Sequence, residues 1–387
     1  MYAFPMIRTT AQLEKICKTL QTQKFITVDT EFIREKTFYP QLCLVQIGAE
    51  KKAWVIDALS PDMNLVPLFE VFLNKNVIKV FHACRQDLEI FYHLMHRMPI
   101  PVFDTQVAAM VCAYSDNIAY QRLVEDYLGI KLDKGMRVTD WAHRPLTKEQ
   151  EKYALHDVVE LKEVYTKMMD EICKSNRLDW IQEEMQNLVD PKAYELDAVH
   201  LMDKMRLPFQ DAGKIHMCAR LCEWREELAK KMNLPRQYIL SDNALIECAV
   251  LKSQKKADFN RLRSRSLSDG FMKSEIGKSL LSVCQKVAKE EVKEWPIKKH
   301  YIIKPNQKNQ IEALRLLLNA VCEEAHVAPH LVASTDDLLS YLIDSSNVRF
   351  MLGWRYQIFG KKVKDLMAGK LAFFYDSHKR SLVVRSV

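Results

Sequence analysis

By its apolar positions, the chain divides into two unlike halves. Over residues 1–190, short apolar and β-branched runs alternate with segments whose apolar residues recur every three to four positions. That is the pattern of strands interleaved with helices. The runs predict strands near 25–32, 42–48, 53–57, 77–82 and 102–103, and the helical spacing predicts helices near 10–21, 64–74, 87–96, 105–114, 119–128 and 147–174. Beyond about residue 200 the strand patterns vanish, and short helices with Pro-, Ser- and Asp-marked starts replace them. This half holds a weak internal repeat. Residues 229–245 parallel residues 323–338, each with a helix end, a proline turn (Pro235, Pro329), an apolar stretch, a serine-containing cap (Ser241, Ser334) and a new helix. Such a repeat indicates two copies of one helical module. The expected division is 1–190, 211–291 and 305–375; the tail beyond about 375 has no placement.

Three short segments carry candidate chemistry. In the first, Phe25–Val28 leads as a strand into Asp29-Thr30-Glu31. Side chains two apart share a face of a strand, so Asp29 and Glu31 project together and Thr30 points the other way. Two carboxylates this close repel unless a cation lies between them, and hard oxygen ligands suit Mg²⁺ or Mn²⁺. Alone the pattern is common; Glu149-Gln150-Glu151 has the same acid spacing. In the second segment, the strand ending at His82 turns through Ala83–Gln86 into a helix that Asp87 opens. An acid there is either a ligand or one favoured by the helix dipole. In the third, Thr147 and Gln150 form a capping box, which places Tyr153 and Asp157 at i and i+4 on one helical face. A tyrosine hydroxyl beside a metal-binding aspartate can orient a water; a packed ring and a solvated acid are the alternative.

In order and setting, these segments resemble the motifs of the DEDD superfamily of 3′–5′ exonucleases and, within it, the ribonuclease D family. Asp29–Ile47 is similar to the family's first motif, His82–Asp87 to its second and Tyr153–Val158 to its third, and Asp140–Leu146 just before the third is also family-like. A sister branch carries histidine five residues before the last aspartate. Here Lys152 holds that position and Tyr153 marks the tyrosine branch, with His156 a neighbour of Asp157 and not the base. The resemblance implies an α/β ribonuclease H-like exonuclease domain followed by all-α HRDC helical domains. It implies phosphodiester hydrolysis with two divalent cations, Mg²⁺ or Mn²⁺, about 4 Å apart. Asp29, Glu31, Asp87 and Asp157 would be their ligands, with Asp29 bridging and Asp87 supporting the second ion, and Tyr153 would position the nucleophile. Four carboxylates in one pocket are unstable together, so the ion-free site should be partly protonated or disordered. Residues 211–291 resemble an HRDC domain through Trp224–Ala229 and Pro235; 305–375 is similar but more divergent, with Gly353-Trp354-Arg355 also family-like.

Bulk properties agree. A chain of 387 residues, 48% hydrophobic, accommodates two or three packed domains, and nine glycines exclude a low-complexity chain. No apolar run reaches the ~18 residues of a membrane span, and Met1–Arg8 lacks the layout of a signal peptide. Ten cysteines are scattered, and Cys218 and Cys222, at i and i+4, have no second pair nearby to complete a zinc site. Reduced thiols and a cytoplasmic location are therefore expected. The net charge of +7 is uneven, since residues 251–310 hold fifteen Lys/Arg against six Asp/Glu. That surplus points either to a polyanionic partner or to a solvated helical surface. Lys252, Lys255, Lys256, Arg261, Arg263 and Arg265 are the candidate phosphate contacts; Arg144 is either another or half of a structural ion pair. Phe32 and Tyr39 either stack on a terminal base or pack in the core. The expected function is a monomeric 3′–5′ exoribonuclease that trims RNA, such as tRNA precursors with 3′ extensions. A DNA exonuclease and a non-enzymatic RNA-binding scaffold are the alternatives, and four acids with a tyrosine argue against the scaffold.

Overall fold

The computed structural model describes residues 6–132, 139–251, 256–259, 262, 267–296, 305–343, 348–378 and 380–387. In the first half, β1 (Met6–Ile7), β2 (Phe25–Ile33), β3 (Gln41–Gly48), β4 (Ala53–Asp57), β5 (Ile78–Phe81) and β6 (Val102–Asp104) form a six-stranded sheet in the order β1-β4-β3-β2-β5-β6. β3 runs antiparallel to both β2 and β4, β5 and β6 follow parallel to β2, and β1 pairs parallel with β4. Strand alternation sends Ile26 and Val28 to one face, where α1 (Thr10–Leu20), α2 (Val66–Leu73) and α3 (Arg85–Met95) cover them. On the other face α4 (Thr105–Val111), α5 (Tyr120–Leu128), α6 (Lys148–Lys174) and α7 (Leu178–Leu188) pack on Val80 and Phe103. Each strand and helix expected here is present, with ends within about three residues.

The placement of α6 is unusually close. Thr27 Oγ1 donates to the Val158 carbonyl at 2.7 Å, so helix backbone meets strand side chain directly. Gly48, across from Thr27 on β3, makes this possible: a Cβ there would fall 2.3 Å from Thr27 Oγ1 and 2.8 Å from the Val158 oxygen.

In the second half, α8 (Ala198–Met205), α9 (Ala212–Met232), α10 (Arg236–Ile239), α11 (Asp242–Val250), α12 (Lys256–Phe259), α13 (Asp269–Lys273) and α14 (Glu275–Val287) surround a second core, which Phe38 of the loop after β2 also enters. The next set is α15 (Pro305–Ala325), α16 (Pro329–Val332), α17 (Thr335–Ile343) and α18 (Gly353–Arg355), which runs through a π turn into α19 (Lys361–Met367). The internal repeat has a structural counterpart. α9, α10 and α11 have 21, 4 and 9 residues, and α15, α16 and α17 have the same lengths. The two units differ in what they bury. Leu314, Leu317, Phe350 and Phe359 of the later unit share one apolar cluster with Phe103, Val164 and Ile181 of the sheet domain.

Strands do not vanish beyond residue 200. β7 (Leu371–Asp376) and β8 (Ser381–Ser386) form an antiparallel hairpin that sets Phe373 and Val384 against that shared cluster. The tail thus has a place, and the later unit is not all-α. Its strand signal was hidden because Leu371–Tyr375 is apolar at every position, so no period-two alternation marks it. No helix among the described residues is long and apolar enough to cross a membrane.

Candidate active site

The acids gather where β2 outruns its neighbour. β2 pairs with β5 only over Phe25–Thr27, while its pairing with β3 continues to Ile33 through a register shift after Glu31. From Val28 onward one edge of β2 is open to helices. Asp29 and Glu31 project toward α6, as their spacing predicts. The capping box holds the start of that helix: Gln150 N donates to Thr147 Oγ1 at 3.1 Å and Thr147 N to Gln150 Oε1 at 2.9 Å. Two turns on, α6 delivers Asp157. Oxygens of Asp29, Glu31 and Asp157 lie within 4.8 Å of one another.

Asp87 arrives from the opposite face. β5 ends at Phe81, and Ala83 takes a left-handed φ of 58° to turn the chain into α3. Asp104, at the end of β6, braces that turn by accepting from Ala83 N (2.9 Å), Cys84 N (2.8 Å) and Gln106 N (2.8 Å). α3 then buries Asp87, whose Oδ1 accepts from the Thr30 hydroxyl. Thr30, directed away from Asp29 and Glu31, thereby holds the fourth acid. Asp87 stands outside the three-oxygen cluster, yet its charge bears on Glu31 and that of Asp29 bears on it.

All four carboxyls sit above the ordinary carboxylate range. Burial is the largest cause at each, followed by mutual repulsion: Asp157 on Asp29, Asp29 on Glu31 and on Asp87, and Glu160 on Asp157. Glu31 is pushed up to about 10 and Asp157 to about 7. Among the described residues no lysine or arginine relieves this repulsion. Opposite Asp29 on β3 is Gln46, fully buried, with neither Oε1 nor Nε2 bonded to protein among the described residues. An oxygen-only, uncompensated donor set beside an unpaired amide fits a hard divalent cation.

Tyr153 is half-buried one turn before Asp157, its ring 6.1 Å from that of Trp141. Tyr120, which the motifs did not indicate, donates to the His156 carbonyl at 3.0 Å. Burial and the charges of Asp157, Glu160 and Asp29 hold its hydroxyl well above the usual tyrosine range. His156 pairs with Glu160 at 2.9 Å and takes no part in the cluster.

Arg144 is fully engaged within the protein. Its Nε and Nη2 donate to the two oxygens of Asp57 at 2.9 and 2.7 Å, and further bonds reach the carbonyls of Trp141, His143 and Cys43. All five N–H donors of the guanidinium are used, so the ion-pair alternative holds and the phosphate-contact reading is withdrawn. Phe32 packs against the α1–α3 core, and Tyr39 stacks on His93 at 3.6 Å. Lys252, Lys255, Arg261, Arg263 and Arg265 lie outside the described residues, as does the side chain of Lys256. Of the residues that the motifs missed, Asp104 had a readable signal, since an aspartate before an apolar helical stretch is an N-cap. Thr30 and Gln46 had none, because alternation tells a side chain's face and not what it meets there.

This sheet and its acid cluster define a nuclease of the 3′–5′ exonuclease class. The family described as 3′–5′ exonuclease matches residues 4–173, and the HRDC domain family matches residues 217–284. Ribonuclease D of Bartonella henselae is 36% identical over 377 residues, covering 97% of this chain and 92% of its own length. That of Nitrobacter hamburgensis is 37% identical over 383 residues, covering 98% and 100%. The crystal structure of Escherichia coli RNase D, an exoribonuclease involved in structured RNA processing, aligns with a TM-score of 0.81 at 25% identity over 95% of this chain and 99% of that one. The chain belongs to the ribonuclease D family of 3′–5′ exoribonucleases.

Proposed function

We propose that this chain removes nucleotides singly from RNA 3′ ends with two divalent cations, Mg²⁺ or Mn²⁺, held by Asp29, Glu31, Asp87 and Asp157. The observation that carries the reading is the convergence of Asp29, Glu31 and Asp157 oxygens within 4.8 Å. Bound divalent cations supply Lewis-acid stabilisation of developing charge and a nucleophile at neutral pH. The protein's part is to hold and to orient. Its raised carboxyls hold protons more firmly in the ion-free state and would give them up on loading. Thr30 fixes the Asp87 carboxylate. Tyr153, one turn before Asp157 on α6, orients the attacking water through its hydroxyl, and Tyr120 stays protonated beside the acids.

The substrate class we propose is tRNA precursors with 3′ extensions, gripped by two HRDC-type modules. The second module is supported by the matching helix lengths of the repeat. The lysine and arginine surplus of residues 251–310 supports backbone contacts that position RNA without reading its sequence. A monomer in the cytoplasm completes the proposal, and ten free cysteines fit a reducing compartment.

The test is a 5′-labelled RNA with a single-stranded 3′ tail, incubated with Mg²⁺ or with EDTA, beside an Asp29→Asn variant and a matched DNA. A ladder shortened by one nucleotide at a time, lost with chelator and with the variant, is expected. Shortening of DNA alone would replace this reading with a DNA exonuclease, and no shortening of either would leave a binding scaffold.

A further inference from the structure

We infer that Asn233, at the end of α9 in the first helical domain, is a positioning residue for the nuclease centre, acting through the loop between β2 and β3. The inference rests on the assignment of the acid cluster as that centre. Asn233 closes α9 in the left-handed conformation, φ 50° and ψ 45°, which asparagine tolerates. Its Oδ1 accepts two backbone N–H groups of the loop, from Phe38 and Tyr39, each at 3.1 Å. The helical domain grips the loop a second way. The Arg236 guanidinium lies 4.8 Å above the Phe38 ring while its Nη2 donates to Glu226 at 2.8 Å, and Phe38 is buried among apolar residues of α8, α9 and α14.

The loop's remaining ties run to α3. Arg34 donates from both Nη atoms to the two oxygens of Glu89, each at 2.9 Å. Tyr39 stacks on His93 at 3.6 Å with the rings 7° apart. Arg34 lies just beyond Glu31 on the chain, and Glu89 just beyond Asp87. One loop therefore joins the strand that carries Asp29 and Glu31 to the helix that carries Asp87, and a different domain holds that loop by its backbone. Residues 34–40 contain no helix or strand, so contacts from outside set their conformation. A shift of about 1 Å in such a setting costs on the order of 100-fold in rate. The helical domain thus acts on the geometry of the acids as well as on RNA.

The test uses the full-length chain with a trinucleotide RNA, which leaves the least chain for the helical domains to bind. Asn233→Gly keeps the left-handed φ without strain and deletes only the amide. Asn233→Asp keeps an oxygen acceptor. For Asn233→Gly, kcat is expected to fall roughly tenfold, the worth of two hydrogen bonds, with KM little changed and the half-saturating Mn²⁺ concentration raised. Asn233→Asp is expected to recover most of the loss. An unchanged kcat, a loss confined to KM, or an Asp variant as poor as the Gly variant overturns the inference. Should Asn233→Gly not fold, Arg34→Met cuts the same relay at α3. It must lower kcat and raise the Mn²⁺ requirement, or the inference fails. Wild-type protein that leaves RNA of any length intact with Mn²⁺ would instead overturn the assignment of the centre.

Discussion

As a proposed metal ligand, Asp157 would give up a proton on taking a cation, which ties its charge to both pH and metal. Burial and the charge of Glu160 lift its carboxyl from 3.8 to about 7. In the ion-free folded state it keeps a proton that the unfolded chain has lost. Its contribution to stability is therefore full below about pH 4 and disappears as pH rises through about 7. Glu31, lifted to about 10, extends the same loss to higher pH. In EDTA, Tm should fall steadily between about pH 5 and 8; with saturating Mn²⁺ the fall should largely vanish. At limiting Mn²⁺, activity should climb through about pH 7, and its midpoint should move lower as Mn²⁺ is raised. A flat or rising Tm in EDTA across that window would contradict the electrostatic account. Gln46 gives a second prediction of opposite signs. A buried amide with no protein partner costs about 1–3 kcal/mol, so Gln46→Met should raise Tm in EDTA. The same change removes the polar group nearest Asp29 on β3 and should weaken Mn²⁺ binding, read by calorimetric titration. Tighter Mn²⁺ binding in the variant would show that the amide has no part in the site.

At the scale of elements, Gly48 decides where α6 sits. An alanine methyl there would meet both Thr27 Oγ1 and the Val158 carbonyl well inside contact distance, and these two atoms are themselves hydrogen-bonded. The Val158 carbonyl, as helix backbone, cannot give way without α6 lifting off β2, and α6 carries Asp157. Gly48→Ala should cost about 1–3 kcal/mol as an overpacking change, read as a lower urea midpoint, and should reduce kcat more than KM. Wild-type kcat in a destabilised variant would mean that α6 moves without carrying its ligand. The elements themselves were legible from the chain for a plain reason. Each of the strands β2 to β6 has a distinct apolar run, and α6 announces its start with the Thr147–Gln150 box. The shared face of Asp29 and Glu31 on one strand was legible too, and the structure adds Asp157 of α6 to that pair. What escaped was relational. That Thr30 meets Asp87, that Asp104 braces the α3 turn, and that Arg144 spends every donor on Asp57 and carbonyls all depend on contacts between elements far apart in sequence. The β7–β8 hairpin escaped because its strands lack alternation, and β1 because two residues make no pattern.

For the molecule as a whole, the repeat misleads about independence. Its two copies have matching helices, yet the first keeps a core of its own that takes in only Phe38 and Tyr39 of the β2–β3 loop from the sheet domain among the described residues. The second is built into the sheet domain. Arg355, 1% exposed, pairs with Glu183 at 2.5 Å and with Glu184, and donates to the Leu331 carbonyl at 2.8 Å. Trp354 stacks on Trp180 at 4.2 Å, and Arg177, just before α7, reaches the carbonyls of Val111, Ala325 and His326. Removing one partner of a buried ion pair costs about 3–5 kcal/mol, because the remaining charge is left uncompensated. Glu184, already above the usual carboxylate range through burial, would be that charge. Arg355→Ala should therefore lower the unfolding temperature of the nuclease and the C-terminal unit together, as one calorimetric transition, because they share a core. Arg225, buried against Asp242 and the Leu240 carbonyl in the first helical domain, gives the reciprocal case. Arg225→Ala should shift a separate transition and leave the nuclease transition in place. If Arg355→Ala instead split the C-terminal unit from an unshifted nuclease transition, the shared cluster would be an interface between two domains rather than one core.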